Sequence, residues 1–366
     1  MAAGTKKQKN KSSLLINGIL IIICFIWLLP TLGVFVTSFR DSKDIFNSGW
    51  WAILPHKEDV ETGRIILDES IDVDGNIKIE GIESTFKELQ EGVTLKDGRK
   101  LTWYGNKRTR EIVVSEKQRV GFASNLTLEN YKDVLTGKEI SFTDAGGNEI
   151  TRRGNNLGGA FLNSIAVTIP ATVIPILIAA FAAFGFSWLK FPGRDILFTV
   201  IVAVLVVPLQ ISLVPILQDY TKLQLNGTFL GIWLAHTGFG LPLATYLLFN
   251  YISTLPRELL EAAYIDGASN FTILIRLIIP LSVPALASFA IFQFLWVWND
   301  YLVSLVFLGE KTRVVTYALA SIVGEKGQDW HLLTAGAFVS MLLPMLVFFL
   351  LQRYFVRGMM AGSVKG

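Results

Sequence analysis

The sequence predicts an all-α polytopic membrane protein with six transmembrane helices and a small β-rich external insert between helices one and two. Three observations carry that prediction. Of 366 residues, 51% are hydrophobic, and the mean hydropathy of +0.47 fits a soluble surface poorly. Six apolar stretches, at 14–37, 162–188, 196–217, 228–251, 281–308 and 334–354, each reach the roughly 20 residues a helix needs to cross a bilayer. Residues 40–156 hold 21 of the 30 acidic residues and few long apolar runs, so they read as a separate, water-facing segment. The chain thus divides into 1–39 (N-terminus and helix one), 40–156 (the insert) and 157–366 (helices two to six).

Helix one follows Lys6, Lys7, Lys9 and Lys11, as a signal peptide would. Its apolar run is too long for one, and no small-residue cleavage site precedes Phe39-Arg40, so a retained anchor is expected. Cys24, the single cysteine, lies in that run and reads as packing. In the insert, alternating residues surround Asp74-Gly75 and Asp97-Gly98, pairs suited to hairpin turns because glycine accepts positive φ. A third hairpin is expected from 140–143 before Gly146-Gly147, and a short helix from 128–135. His56 is the only histidine of the insert and has no assignable acid–base partner, so the insert is expected to serve docking or packing, not catalysis.

Lys190 with Arg194, Arg257 with Arg276, and Arg353 with Arg357 alternate onto the side of the basic N-terminus. The positive-inside rule makes that side cytoplasmic and both termini cytoplasmic. Trp50, Trp51 and Trp188 near the span ends suit interfacial anchors. The net charge of +3, without a basic run among stacking aromatics, argues against nucleic acid. No Gly-x-x-x-x-Gly-Lys-Ser/Thr loop occurs, His56, His236 and His331 lack metal-ligand spacing, and no Gly-x-Ser-x-Gly elbow appears. No catalytic or metal residue is therefore assigned.

The loop at 253–280 carries the most specific signal. Pro256 suits a helix's first turn, and Glu258 and Glu261 lie near the positive end of its dipole. Ala262 and Ala263 make a narrow surface, Gly267 a break, and Ser269 a cap for a second helix running to Pro280. An ordinary interfacial linker is the rival reading.

Glu261-Ala262-Ala263, with Gly267 four residues on and an apolar stretch ending at Pro280, resembles the EAA loop of binding-protein-dependent ABC importer permeases. Leu277 and Ile279 stand where that family favours Ile and Leu. The run 256–268 is similar to the carbohydrate branch. The segments 126–131, Phe161-Leu162-Asn163-Ser164, Trp298-Asn299-Asp300 and 353–358 look like the maltose-type second permease. The long insert and Ser48-Gly49-Trp50-Trp51 resemble α-glucoside permeases.

The resemblance implies the type I ABC importer permease fold and a subunit of an ATP-driven sugar importer in a bacterial inner membrane. α-Glucosides or malto-oligosaccharides are the implied substrates, with another oligosaccharide or glycerol phosphate as the alternative. It implies a heterodimer with a second permease, two ATPase subunits that use ATP and Mg, and an external solute-binding protein. This chain itself would bind no cofactor. Glu258, Glu261, Ala262, Ala263, Asp266 and Gly267 correspond to the ATPase-coupling loop. The loop 309–333, with Arg313, Tyr317, Glu325, Lys326 and Trp330, corresponds to one that reaches into the binding protein. The tail 355–366, with Gly358, Ala361 and Gly362, corresponds to one that contacts the ATPases.

Within the spans Gln210, Gln293, Asn299 and Asp300 stand out, as groups that either line a translocation path or lock helices together. A membrane sensor or scaffold leaves the loop motif unexplained, and an ion-driven transporter or channel expects more buried charge than Asp300.

Overall fold

The computed structural model describes residues 2–68, 71–122, 126–137, 139–143, 149–154, 156–322 and 329–361. The chain forms two compact units, Met1–Thr127 and Leu128–Gly366.

The first unit opens with helix α1 (Ala2–Thr37), of which Ser13–Thr37 is long and apolar enough to cross a membrane. Its end is closed by Thr37 and Ser38, whose hydroxyls donate to the carbonyls of Gly33 and Phe35. Arg40, buried, then donates to the carbonyls of Asp44 (2.7 Å) and Ser48 (2.9 Å) and gathers the short helix α2 (Ser42–Asn47) beneath it. Trp50 lies against Gly33, where a Cβ would come within 2.9 Å of the indole.

Strands β1 (His56–Ile66), β2 (Ile77–Ile79) and β3 (Ile82–Ser84) follow, then helix α3 (Phe86–Glu91) and strands β4 (Val93–Thr94), β5 (Lys100–Tyr104) and β6 (Glu111–Val120). An antiparallel sheet of order β1-β6-β5-β4 stands beside a β2–β3 hairpin. Its core joins Leu67, Ile77, Ile79, Leu89, Leu101, Trp103 and Ile112.

The β4–β5 hairpin turns through Asp97-Gly98, with Gly98 at φ +92°, as expected. The Asp74-Gly75 expectation is corrected. β2 pairs with β3, and the turn is Glu80-Gly81, at φ +51° and +80°, which fits a type I′ geometry. Alternation around Asp74 marked only the inward residues of a loop. The β1–β6 ribbon gives no alternating signal in the sequence because charges sit on both of its faces.

The second unit begins with α4 (Glu129–Thr136), close to the helix expected there, and the hairpin β7 (Glu139–Thr143)–β8 (Glu149–Arg153). Gly146-Gly147 lie outside the described residues. The long helices are α5 (Leu157–Trp188), α8 (Phe229–Ile252) and α15 (Trp330–Ala361). Two of the expected spans are not straight helices. Residues 196–217 fall in α6 (Arg194–Val204) and α7 (Leu209–Lys222), which meet at 100°. Pro208 at the break lacks an N–H and drives its predecessor out of the helical region.

Residues 281–308 are likewise divided. After α9 (Arg257–Ile265) and α10 (Asn270–Ile273), a π-helical turn (Leu274–Ile278) leads into α11 (Ile279–Leu281). The chain then bends by 73° at Ser282, between Pro280 and Pro284, into α12 (Val283–Trp298). α12 ends at Asn299-Asp300, before α13 (Leu302–Phe307), and α14 (Val315–Ile322) follows. Four described helices can cross a membrane as they stand, or up to six if each bent pair is one span.

Candidate functional site: the α9 loop and the polar junction of the helical unit

Pro256 opens α9, where its missing N–H is harmless, and Asp266 ends it. Gly267 sits at φ +78°. Its N–H donates to the Tyr264 carbonyl and that of Ala268 to the Ala263 carbonyl, both at 3.0 Å, the paired bonds of a Schellman motif. Ser269 caps α10 by accepting from the Thr272 N–H, and the Tyr264 hydroxyl donates to Asn270 Oδ1 at 2.7 Å across the break. Helix, break and helix are thus set by local bonds.

Leu260 alone of α9 is fully buried. It enters a cluster of Ala179, Ala180 and Ala183 from α5, Ala244, Leu248 and Ile252 from α8, and Ile273, Ile278 and Phe289. The alanines let α5 and α8 approach closely. Half-buried Ala263 packs against the same cluster, so α9 is seated on three helices through Leu260 and Ala263. The opposite face carries exposed Glu258, Glu261, Ala262 and Asp266, beside exposed Leu259, Tyr264, Ile265 and Phe271. Glu258 and Glu261 make no hydrogen bond or ion pair among the described residues, so the loop is held without them. Charged and apolar groups side by side on a rigid hairpin are the chemistry of a docking surface.

The polar residues at membrane depth separate. Gln210 is exposed beside the α6–α7 break, and the Asn299 side chain donates, among the described residues, to the Leu295 carbonyl of its own helix. Gln293 is buried and donates to the carbonyls of Ala171 (3.1 Å) and His236 (3.5 Å), tying α12 to α5 and α8. Asp300 accepts from the N–H groups of Val303 (3.2 Å) and Ser304 (2.9 Å) and from the Ser304 hydroxyl, so it starts α13. Its Oδ2 lies 3.8 Å from Nε2 of His236, which is fully buried. Gln293, His236 and Asp300 thus form one junction. The sequence showed His236 only as an isolated histidine.

The loop after α13 is pinned from inside. Asn163 donates to the carbonyls of Lys311 and Arg313, Ser164 Oγ accepts from the Val315 N–H, and Thr316 donates to the Asp300 carbonyl. Two quoted motifs, Phe161–Ser164 and Trp298–Asp300, therefore meet here. Arg313 lies 4.8 Å over the Tyr317 ring and 3.6 Å from Glu310, all three around a cleft of ≈ 90 Å³. Trp330 begins α15 and is exposed. Glu325, Lys326 and Gly362 lie outside the described residues, and the side-chain surroundings of Ala361 and the contacts of Gly358 are likewise not described. Among the described residues no group of three His, Cys, Asp or Glu can hold a metal.

A family model described as binding-protein-dependent transport system inner membrane component matches residues 163–361. The chain is 44% identical over 362 residues to the osmoprotective compounds uptake permease protein GgtD of Synechocystis sp., spanning 98% of this chain and 95% of that protein. It is also 44% identical over 380 residues to the alpha-glucoside transport system permease protein AglG of Rhizobium meliloti, spanning 94% and 95%. Its fold is similar, with a TM-score of 0.59 and 16% identity over 95% of this chain and 98% of the other, to that of a bacterial ABC transporter involved in the import of the acidic polysaccharide alginate. A helix–break–helix loop rooted in the helical core, bent apolar helices and these matches agree, and the chain belongs to the family of binding-protein-dependent transport system inner membrane components.

Proposed function

We propose that the chain is the permease subunit of an ATP-driven sugar importer, and that α9 is where a partner ATPase engages it. The observation that carries this reading is the construction of the α9 loop. Its outer face is free for a partner, while Leu260 anchors it among α5, α8 and α12. Closure of an ATPase pair would move α9, and the move would pass to the spans because a close-packed core shifts as a unit. Glu261 and Asp266 supply acceptors to the partner, Ala262 a close approach, and Gly267 the turn, while Ala263, expected at the same surface, is half-buried against the Leu260 cluster and seats the helix.

In this reading all six apolar segments cross the membrane, both termini are cytoplasmic and residues 40–156 are external. A second permease, two ATPase subunits and an external solute-binding protein complete the transporter. Arg313, Tyr317, Glu325, Lys326 and Trp330 face the binding protein, and Gly358, Ala361 and Gly362 face the ATPases. The substrate class is α-glucosides, supported by the likeness to AglG over nearly the whole chain. The equal likeness to GgtD supports a second reading, a small osmoprotective solute. Family membership favours transport over a membrane sensor.

Co-purification of the membrane complex, followed by ATPase assay with the solute-binding protein, tests the reading. Maltose-loaded binding protein is expected to stimulate hydrolysis several-fold. Glu261→Lys and Gly267→Pro are expected to abolish the stimulation and the uptake while the protein stays in the membrane. Normal transport by both variants at normal expression sinks the coupling role. Stimulation by an osmoprotective solute and by no α-glucoside selects the second reading.

A further inference from the structure

A proline inside a helix offers no N–H to the residue four positions earlier, so that residue's carbonyl loses its usual donor. Pro170 and Pro175 free the carbonyls of Ala166 and Ala171 in α5, and Pro344 frees that of Ser340 in α15. Each is met by a side chain from another helix. The Trp233 indole N–H of α8 donates to Ala166 at 2.9 Å, and that of Trp298 in α12 donates to Ser340 at 3.0 Å. Gln293 of α12 donates to Ala171 at 3.1 Å. A freed carbonyl in an apolar core thus takes a neighbour's donor in place of its own.

These ties sort the helices. Trp233 joins α8 to α5, and Trp298 joins α12 to α15. Gln293 spans the two pairs, because its amide carries two N–H groups: one bonds α5, and the nitrogen also lies 3.5 Å from the His236 carbonyl of α8. Asp300, just past α12, stands 3.8 Å from Nε2 of the same histidine. A well-made N–H···O bond measures roughly 2.7–3.2 Å. The α12 side therefore holds α5 firmly and stands off from α8 at two atoms of one residue. His236 is fully buried, and neither ring nitrogen has a hydrogen-bond partner. A buried polar group left unpaired is costly, so a conformation that closes Nε2 onto Asp300 gains that bond.

We infer that Gln293 is a positioning residue for transport: its bond to Ala171 is the pivot on which the α12–α15 pair rocks against the α5–α8 pair. A shift of α8 toward α12 by less than about 1 Å brings both His236 contacts to bonding distance. The inference rests on the ATP-driven import reading above and on no particular solute. Since α9 is seated on α5 and α8, a push on it enters that pair, and Gln293 is a hydrogen-bonded link from there to α12. Gly240 of α8 leaves room for the joint, as a Cβ there would come within 2.6 Å of both amide heteroatoms. Packed helices of this kind move between discrete arrangements, and two half-made contacts beside one firm bond are what such a rocking joint requires.

The test uses the complete transporter in proteoliposomes, with its binding protein and maltose, and uptake normalised to assembled complex. Two variants disable the joint differently. Gln293→Met keeps the length of the side chain but cannot donate, and Gly240→Ala displaces the amide without removing it. Each is expected to lower maximal uptake about tenfold, the weight of one buried hydrogen bond. The binding-protein concentration giving half-maximal uptake is expected to stay unchanged. Trp233→Phe and Trp298→Phe, which lose only static ties, are expected to lower the thermal stability of the complex and to keep uptake near the wild-type rate. Wild-type uptake by both Gln293→Met and Gly240→Ala overturns the inference. So does failure of both to assemble, or an equal loss of uptake in the tryptophan variants, since either makes Gln293 one more structural tie. ATP-driven uptake of neither maltose nor an osmoprotective solute by the unmodified transporter overturns the import reading instead.

Discussion

At the scale of single residues, Gly267 and Leu260 do different work in one loop. Gly267 at φ +78° is in space open to a side chain, so Gly267→Ala adds only backbone strain of about 1–2 kcal/mol. Proline fixes φ near −65° and removes the N–H that bonds Tyr264, so it breaks the turn outright. The expected order of stimulated ATPase activity is wild type, then Gly267→Ala, then Gly267→Pro near the unstimulated level, and equal activities exclude the turn as the determinant. Leu260→Ala removes the only fully buried side chain of α9 and is expected to destabilise its seating by about 2–5 kcal/mol. Hydrogen exchange in α9 should then rise, with sugar moved per ATP falling. Asp300 is a structural carboxylate first. Asp300→Ala frees the first N–H groups of α13 and is expected to cost about 1–2 kcal/mol, read as faster exchange at Val303 and Ser304.

Among elements, the β1–β6 ribbon and the bent helices show where local reading reaches and where it stops. In the sheet, the Arg64 hydrogen bond holds the Glu61 carboxyl below its usual range, and that of Arg99 does the same for Asp97. A carboxyl lowered on folding adds stability that is present above its unfolded pKa and lost as pH falls through the folded one. Both groups are exposed, so the gain is small. Protection of the sheet against exchange is expected to be flat from about pH 8 to pH 5 and to decline only below about pH 4. Trp103→Ala, in the core that also holds Leu89 and Ile112, is expected to cost about 3–5 kcal/mol and to release protection throughout the sheet. The helix breaks follow from Pro208, and from Pro280 with Pro284, whose positions are plain in the sequence. Their angles of 100° and 73° are not, because a proline permits a bend and packing chooses its size.

For the whole molecule, the apolar runs, the acidic segment 40–156 and the Glu261–Gly267 motif were legible because each depends on composition or short-range spacing. So was the α9 turn, since proline, glycine and serine impose their geometry on neighbouring backbone. The junction of His236, Gln293 and Asp300 was not legible: its members are 57 and 7 residues apart, and no local rule brings them together. The roles of Asn163 and Ser164 were hidden for the same reason, their partners lying some 150 residues along the chain. The sequence by itself determined a helical membrane transport subunit with a helix–break–helix loop. Only the tertiary structure decided which helices that loop packs against and which polar groups meet at the end of α12, because those depend on long-range packing of faces that look equally apolar in the chain.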